Sequence, residues 1–173
     1  LDAAIAATPL EIDNIKERVL YFEPFVCYIP KTHRLHANKK INVSDLDIND
    51  MLLLEDGHCF RDGVLNLCKA FKGHTDDSFQ LESGSIETLI KLSNEGLGMT
   101  LLPYLHTLDI NVTEKENLHH FNEPTPAREV SIIYHKSELK MQIIEALQDV
   151  ISGIIRGAIA FQNVEIISPL PKH

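Results

Sequence analysis

The chain has 173 residues, 44% of them hydrophobic and 24% charged, a composition that excludes an intrinsically disordered chain and allows a buried core. A formal net charge of −9 and a pI near 5.4 give a surface that repels a phosphate backbone, so this segment alone is excluded as a DNA-binding module. No apolar run approaches a membrane span, Leu1-Asp2-Ala3-Ala4 lacks the basic start of a signal peptide, and three cysteines are too few for a secreted disulfide scaffold; the expectation is a cytoplasmic protein with no membrane partner.

In chain order, residues 1–8 are small and apolar and are bounded by Pro9, which suits a buried strand. Residues 18–22 and 25–29 are rich in β-branched and aromatic side chains and predict a strand pair punctuated by Pro24 and Pro30. The polar run 31–42 reads as a solvated connection, Ser44 as the start of a short helical turn, and 51–55 as a buried strand followed by the Asp56-Gly57 turn. Residues 60–72 are patterned as a helix, with Val64, Leu65, Leu67, Ala70 and Phe71 apolar and Gly73 as its stop, and 79–81 predicts a short strand. Ser85 is a good N-cap for a helix over 86–95 closed by Gly96. Residues 99–102 form a strand stopped by Pro103, and Pro124-Thr125-Pro126 marks a linker before a strand over 129–135. Leu139, Ile143, Ile144, Leu147, Val150, Ile151, Ile154 and Ile155 recur at helical spacing and predict a long amphipathic helix, with a loose tail from about Gly157. Strands alternating with helices argue for an α/β fold with mostly parallel sheets, and the proline-marked crossings near Pro24 and Pro126 fit two subdomains joined by two strands.

The chemistry concentrates in Glu55-Asp56-Gly57-His58-Cys59-Phe60-Arg61-Asp62, which puts a thiol where a strand turns into a helix. The thiolate is the reactive form, and a helix N-terminus, the charge of Arg61 and a hydrogen bond from His58 all favour it. Arg61 could also stabilise the hydroxide leaving a peroxide. The other reading of Cys59 is a buried structural thiol, and from spacing alone Cys68 reads as a core residue, as does Cys27 in its uncharged strand. The separation of nine positions has a geometric consequence. In one continuous helix it places the two Cα atoms about 13.5 Å apart on opposite faces, whereas a disulfide needs about 7 Å or less. A bond between them therefore requires part of the helix to unwind, which Gly63 makes less costly. His58, Cys59, Cys68 and His74 match none of the usual zinc spacings, and neither a metal nor a cofactor is expected.

The run from Leu53 to Asp62 followed by Cys68 resembles the redox segment of the peroxide-sensing transcription regulators of the LysR family, in which Gly-His-Cys-x-Arg-Asp precedes a second cysteine at this spacing. Glu87-Thr88-Leu89 with Gly96-Leu97-Gly98-Met99-Thr100-Leu101-Leu102-Pro103 is similar to the helix and Gly-x-Gly strand of LysR effector domains, and Leu1-Asp2-Ala3-Ala4-Ile5 and Phe22-Glu23-Pro24 match in order and spacing. The resemblance covers residues 1 to about 155. It implies an α/β, periplasmic-binding-protein-like effector domain of two α/β lobes joined by two crossover strands. Residues 1–22 and 128–155 would form lobe I, 25–126 would form lobe II with the redox cysteines, and 156–173 a C-terminal tail. By the same resemblance a winged helix-turn-helix domain, a linker helix and a strand-helix-strand section carrying peroxide-binding threonines lie outside this chain.

Carried over by residue, Cys59 corresponds to the peroxide-reacting thiol and Cys68 to the resolving thiol. His58, Arg61 and Asp62 correspond to its polar neighbours, and Arg128 to an arginine that approaches it. The implied partners are hydrogen peroxide, cellular thiol reductants and further copies in a homodimer or homotetramer, with promoter DNA and RNA polymerase reached through the full-length protein. The implied role is stoichiometric sensing, not enzymatic turnover. Two other readings stand beside it: a LysR-type domain binding a small metabolite between its lobes, and a thiol peroxidase, which the missing Pro-x-x-x-Thr-x-x-Cys and Cys-x-x-Cys patterns disfavour.

Overall fold

The computed structural model describes residues 2–56, 59–69, 81–159 and 164–170. In chain order they form strands β1 (Ala3–Thr8) and β2 (Ile15–Tyr28), strands β3 (Lys40–Ile41) and β4 (Leu53–Leu54), and helix α1 (Cys59–Lys69). Strand β5 (Glu82–Ser83), helix α2 (Ile86–Asn94), strand β6 (Thr100–Pro103) and the short helix α3 (Tyr104–Thr107) follow. Strands β7 (Leu118–Phe121) and β8 (Thr125–His135), helix α4 (Met141–Ala158) and strand β9 (Val164–Ile166) complete the order, with 3-10 turns at Val43–Asp45, Ile48–Asp50 and Val112–Asn117.

The two strands expected on either side of Pro24 are one strand of 14 residues. Up to Pro24, β2 pairs antiparallel with β8, from Ile15↔His135 to Pro24↔Ala127; beyond it, β2 pairs antiparallel with β6, from Phe25↔Pro103 to Tyr28↔Thr100, and with β7. Proline lacks the N–H that a ladder needs, and it stands at the step where β2 changes partners and the ladder is interrupted anyway. Pro124-Thr125-Pro126 is likewise no plain linker, because Thr125 and Pro126 belong to β8 and pair with β9. Two α/β lobes result, joined by the crossing strands β2 and β8.

The expected mostly parallel sheets are corrected by this geometry. A strand leaving a lobe and a strand returning to it lie side by side in opposite directions, so the longest ladders, β1 with β8 and β2 with β8, are antiparallel. Among the described residues, parallel pairing is confined to β3 with β7, β4 with β5, β8 with β9 and a bridge between Met51 and Met99.

Period-two alternation assigns β2 and β6 to two cores in the second lobe. Phe25, Cys27, Ile29 and Leu101 enter a large cluster with Leu53, Leu54, Val64, Leu67 and Cys68, while Tyr28 and Leu102 face Ile90 and Ile110 on the other side of the sheet. In the first lobe Leu20, Ile132 and Tyr134 pack on Ile144 of α4. The amphipathic stripe read along α4 is wider than the face the sheet covers: Ile144 is buried, whereas Ile143 and Ile154 are 58% and 68% exposed. Leu139 lies before the helix and is 93% exposed.

Several expectations hold with shifted edges. Ser85 caps α2 by accepting a hydrogen bond from the Thr88 N–H, and Gly96 closes it at φ +82°. The turn expected at Ser44 begins one residue earlier, at Val43, and is capped by Asn42, whose N–H donates to Asp45. The short strand expected at 79–81 is β5, displaced to Glu82–Ser83; residues 79 and 80, Ala70, Phe71 and the Gly73 stop lie outside the described residues. The tail is not loose where it is described: β9 adds to β8, and the Ile167 N–H donates to the Ala127 carbonyl at 2.7 Å.

Gly98 is required where β6 begins. Its φ is +155°, and a methyl group on its α carbon would lie 2.7 Å from the Asp50 carbonyl oxygen, the acceptor of the Met99 N–H. Gly98→Ala is expected to cost about 2 kcal/mol in denaturant unfolding, since the clash is with backbone and only a shift of the strand relieves it. A midpoint equal to that of the unmodified protein would show the Asp50 segment free to move.

Candidate redox site

Cys59 is the first residue of α1 and Cys68 the tenth, so one continuous helix carries both. Their Cα atoms are then about 13.5 Å apart along the axis, too far for a disulfide. The helix forms because Phe60, Val64, Leu67 and Cys68 recur at i, i+4, i+7 and i+8 and are all buried in the second lobe's core. Cys68 is 6% exposed. The direction of the Cys59 thiol and the placement of Gly57, His58 and His74 lie outside the described residues.

Arg61 is nearly buried, and its guanidinium bridges two carboxylates, reaching Asp56 at 2.9 Å and also Glu82 on β5. Its Nε is buried with no hydrogen-bond partner among the described residues. The cation expected to favour the thiolate is thus offset by two anions from flanking segments, and Asp62 adds a third negative charge in the first turn of α1. Of the influences read from sequence, the backbone N–H groups at the start of α1 retain their direction.

Arg128 stands on β8 opposite Glu23 of β2, in direct cross-strand register. Its Nε and Nη2 donate to the same Glu23 oxygen at 2.9 and 2.7 Å, and the other Glu23 oxygen accepts the Leu105 N–H at 3.0 Å. Glu23 is only 2% exposed, so this pair is held out of water. The guanidinium carbon of Arg128 lies 5.2 Å from the centre of the Phe60 ring, and Phe60 packs on Phe25 with centroids 5.1 Å apart. Gly63 completes the contact, since a side chain there would begin 3.3 Å from the Phe25 ring. The first turns of α1 therefore rest on both crossing strands, on Phe25 of β2 and Arg128 of β8. The structure brings Arg61 to Asp56 and Glu82 and brings Arg128 to Phe60, the residue after Cys59; it brings Arg61 and Arg128 to different partners.

Cys27 sits fully buried in the same core, and burial above all, with the nearby Cys68 second, pushes its thiol well above the ordinary cysteine range. It is held as the unreactive thiol, consistent with the core reading. Among the described residues no three His, Cys, Asp or Glu side chains are grouped so as to hold a metal ion, and no helix is long and apolar enough to cross a membrane.

Sequence reading missed Glu23, Glu82 and Asn66. Glu23 had a visible signal, an acid between aromatic residues and a proline within the otherwise apolar run 19–29. Asn66 interrupts the apolar arc of α1 and is 3% exposed, a buried amide that must have partners. Glu82 had no signal, because its pairing with Arg61 bridges 21 positions.

Residues 1–153 match the family model described as the LysR substrate binding domain. A "probable hydrogen peroxide-inducible genes activator" of Mycobacterium leprae is 30% identical over 155 residues, covering 90% of this chain and 50% of that protein. The chain spans about half the length of the curated relatives it matches. The reduced form of the OxyR regulatory domain from Pseudomonas aeruginosa superposes with a TM-score of 0.73 at 32% identity, covering 88% of this chain and 72% of that one. A mutant OxyR from Porphyromonas gingivalis superposes with a TM-score of 0.82 at 25% identity, over 96% of this chain and 76% of that one.

Proposed function

The chain belongs to the family of LysR substrate binding domains, and from that premise we propose that it is the peroxide-sensing domain of a LysR-type transcription regulator. The observation that carries the reading is the placement of Cys59 and Cys68 at opposite ends of one helix that rests on both crossing strands. The names of the relatives, peroxide-inducible activators and OxyR, point the same way.

The Cys59 thiolate attacks one peroxide oxygen; the S–O bond forms as the O–O bond breaks, and the leaving hydroxide takes a proton to become water. The Cys68 sulfur then attacks the Cys59 sulfur, an S–S bond forms, and the sulfenic oxygen leaves as a second water. Two thiols lose two electrons and one peroxide gains them. Cellular dithiols reverse the change by exchange, so the domain acts stoichiometrically and not as an enzyme.

In this reading the N-terminus of α1 and His58 favour the thiolate, and Arg61, restrained by Asp56 and Glu82, holds the approach to α1. Asp62 shapes the same turn, and Arg128 couples it to the crossing strands. The lobes divide as residues 1–22 with 128–155 and residues 25–126. Remodelling of α1 alters contacts between copies in a homodimer or homotetramer, and so the engagement of promoter DNA and RNA polymerase by the full-length protein.

Peptide mass spectrometry before and after brief exposure to low micromolar peroxide tests the proposal. A peptide pair linked through Cys59 and Cys68 is expected in the native chain and is lost in Cys59→Ser. Unmodified cysteines both here and in the full-length regulator would overturn it in favour of a metabolite-binding LysR domain.

A further inference from the structure

Residues 164–170 are held on two sides. β9 pairs in parallel with Thr125–Ala127 of the crossing strand β8, in register with Pro126↔Glu165, and the Ile167 N–H donates to the Ala127 carbonyl. From the other side Asn66, buried in the middle of α1, gives both hydrogens of its amide to this segment, one to the Ser168 carbonyl at 2.9 Å and one to the Leu170 carbonyl at 2.7 Å. Pro169, between those two carbonyls, is buried, and Ile167 packs against the core that contains Val64, Leu67 and Cys68. The seven residues thus tie the redox helix to the strand that joins the lobes.

We infer that this segment is a latch on the redox helix, closed when α1 is intact and released when Cys59 and Cys68 join. The inference rests on the disulfide switch proposed above. Asn66 lies between the two cysteines, so the stretch that must unwind to bring them within bonding distance includes the residue that grips the latch. Once Asn66 leaves its helical position its amide cannot reach both carbonyls, and those half-buried acceptors lose their donors. β9 is then held by its short pairing with β8 and by the packing of Ile167 on a core that the unwinding disturbs, and a three-residue strand at a sheet edge has little protection by itself.

The coupling is reciprocal. A latch that binds the intact helix stabilises the dithiol form, and its loss favours the disulfide by the same factor. The segment therefore sets how oxidising the cellular thiol pool must be before the switch turns, and its release exposes the strip of β8 at residues 125–127, next to Arg128.

Hydrogen exchange of the amides of 164–170, measured in the reduced and the peroxide-oxidised chain, tests this together with Asn66→Ala. Exchange is expected to rise at least about tenfold on oxidation of the native chain, and to be already raised in reduced Asn66→Ala. In a glutathione buffer Asn66→Ala should shift the dithiol–disulfide equilibrium about tenfold toward the disulfide, which is about 30 mV for a two-electron couple. If the disulfide forms and 164–170 remain as protected as before, the latch is wrong and the switch stands. If peroxide forms no disulfide between Cys59 and Cys68, the switch itself fails and the latch with it. The comparison within the native chain decides the matter even if Asn66→Ala folds poorly.

Discussion

Arg128→Ala is expected to destabilise the reduced protein by about 3 kcal/mol in urea unfolding at neutral pH. Glu23 is 2% exposed and has two classes of partner, the Arg128 guanidinium and the Leu105 N–H; removing the guanidinium leaves a buried carboxylate with one backbone donor. The contact of the cation with the Phe60 ring is lost in the same substitution and adds about 0.5–1 kcal/mol. The double variant Glu23→Leu with Arg128→Met should recover most of the loss, because a buried pair is costly to break and inexpensive to replace by apolar groups of similar volume. A loss below about 1 kcal/mol in the single variant would show that water reaches Glu23 once Arg128 is gone, and would remove the argument that this pair anchors α1 to the crossing strands.

Peroxide oxidation is expected to abolish the regular helix between Cys59 and Cys68, seen as a fall in helical circular dichroism and as rapid exchange of the α1 amides. The geometry leaves no alternative: an intact helix separates the Cα atoms by about 13.5 Å, and a disulfide tolerates about 7 Å. The unwound stretch contains Val64 and Leu67, 3% exposed each, so the change also takes apolar surface out of the core and exposes it to dye binding. In Cys68→Ser the oxidation should stop at the Cys59 sulfenic acid with the helix retained. Cys27→Ala should leave the response intact, since burial keeps that thiol protonated. A disulfide accompanied by undiminished helix would refute the geometric argument.

The sequence disclosed elements better than their partners. α1, α2, β6 and β8 follow from apolar spacing and from caps such as Ser85, all of which are local signals. The separation of the cysteines was legible because helix geometry converts nine positions directly into a distance. What escaped was non-local. Pro24 reads as a break because proline cannot donate to a ladder, yet β2 runs through it by exchanging β8 for β6 at that step. The amphipathic pattern of α4 is legible, but how much of its apolar stripe the sheet covers is not, and only Ile144 of the helix is fully buried. The charge on Arg61 looked uncompensated because Glu82 is 21 positions away, and the docking of residues 164–170 on Asn66 spans more than 100.

The partner exchange along β2 also dictates an order of assembly. Most of the second lobe, from Phe25 to Phe121, is one continuous length of chain, whereas the first lobe closes by pairing Ala3–Thr8 with residues 129–134, and the Thr8 and Glu129 side chains that meet there are 121 positions apart. On a ribosome most of the redox lobe can pack while β1 and the first half of β2 still wait for β8. For that interval Ile5, Val19 and Phe22, at 57%, 41% and 40% exposure even in the finished fold, sit on open strand edges. The nascent chain is thus most vulnerable to misassociation in the lobe away from the two cysteines, and the strand it waits for, β8, is the one that brings Arg128 to Glu23.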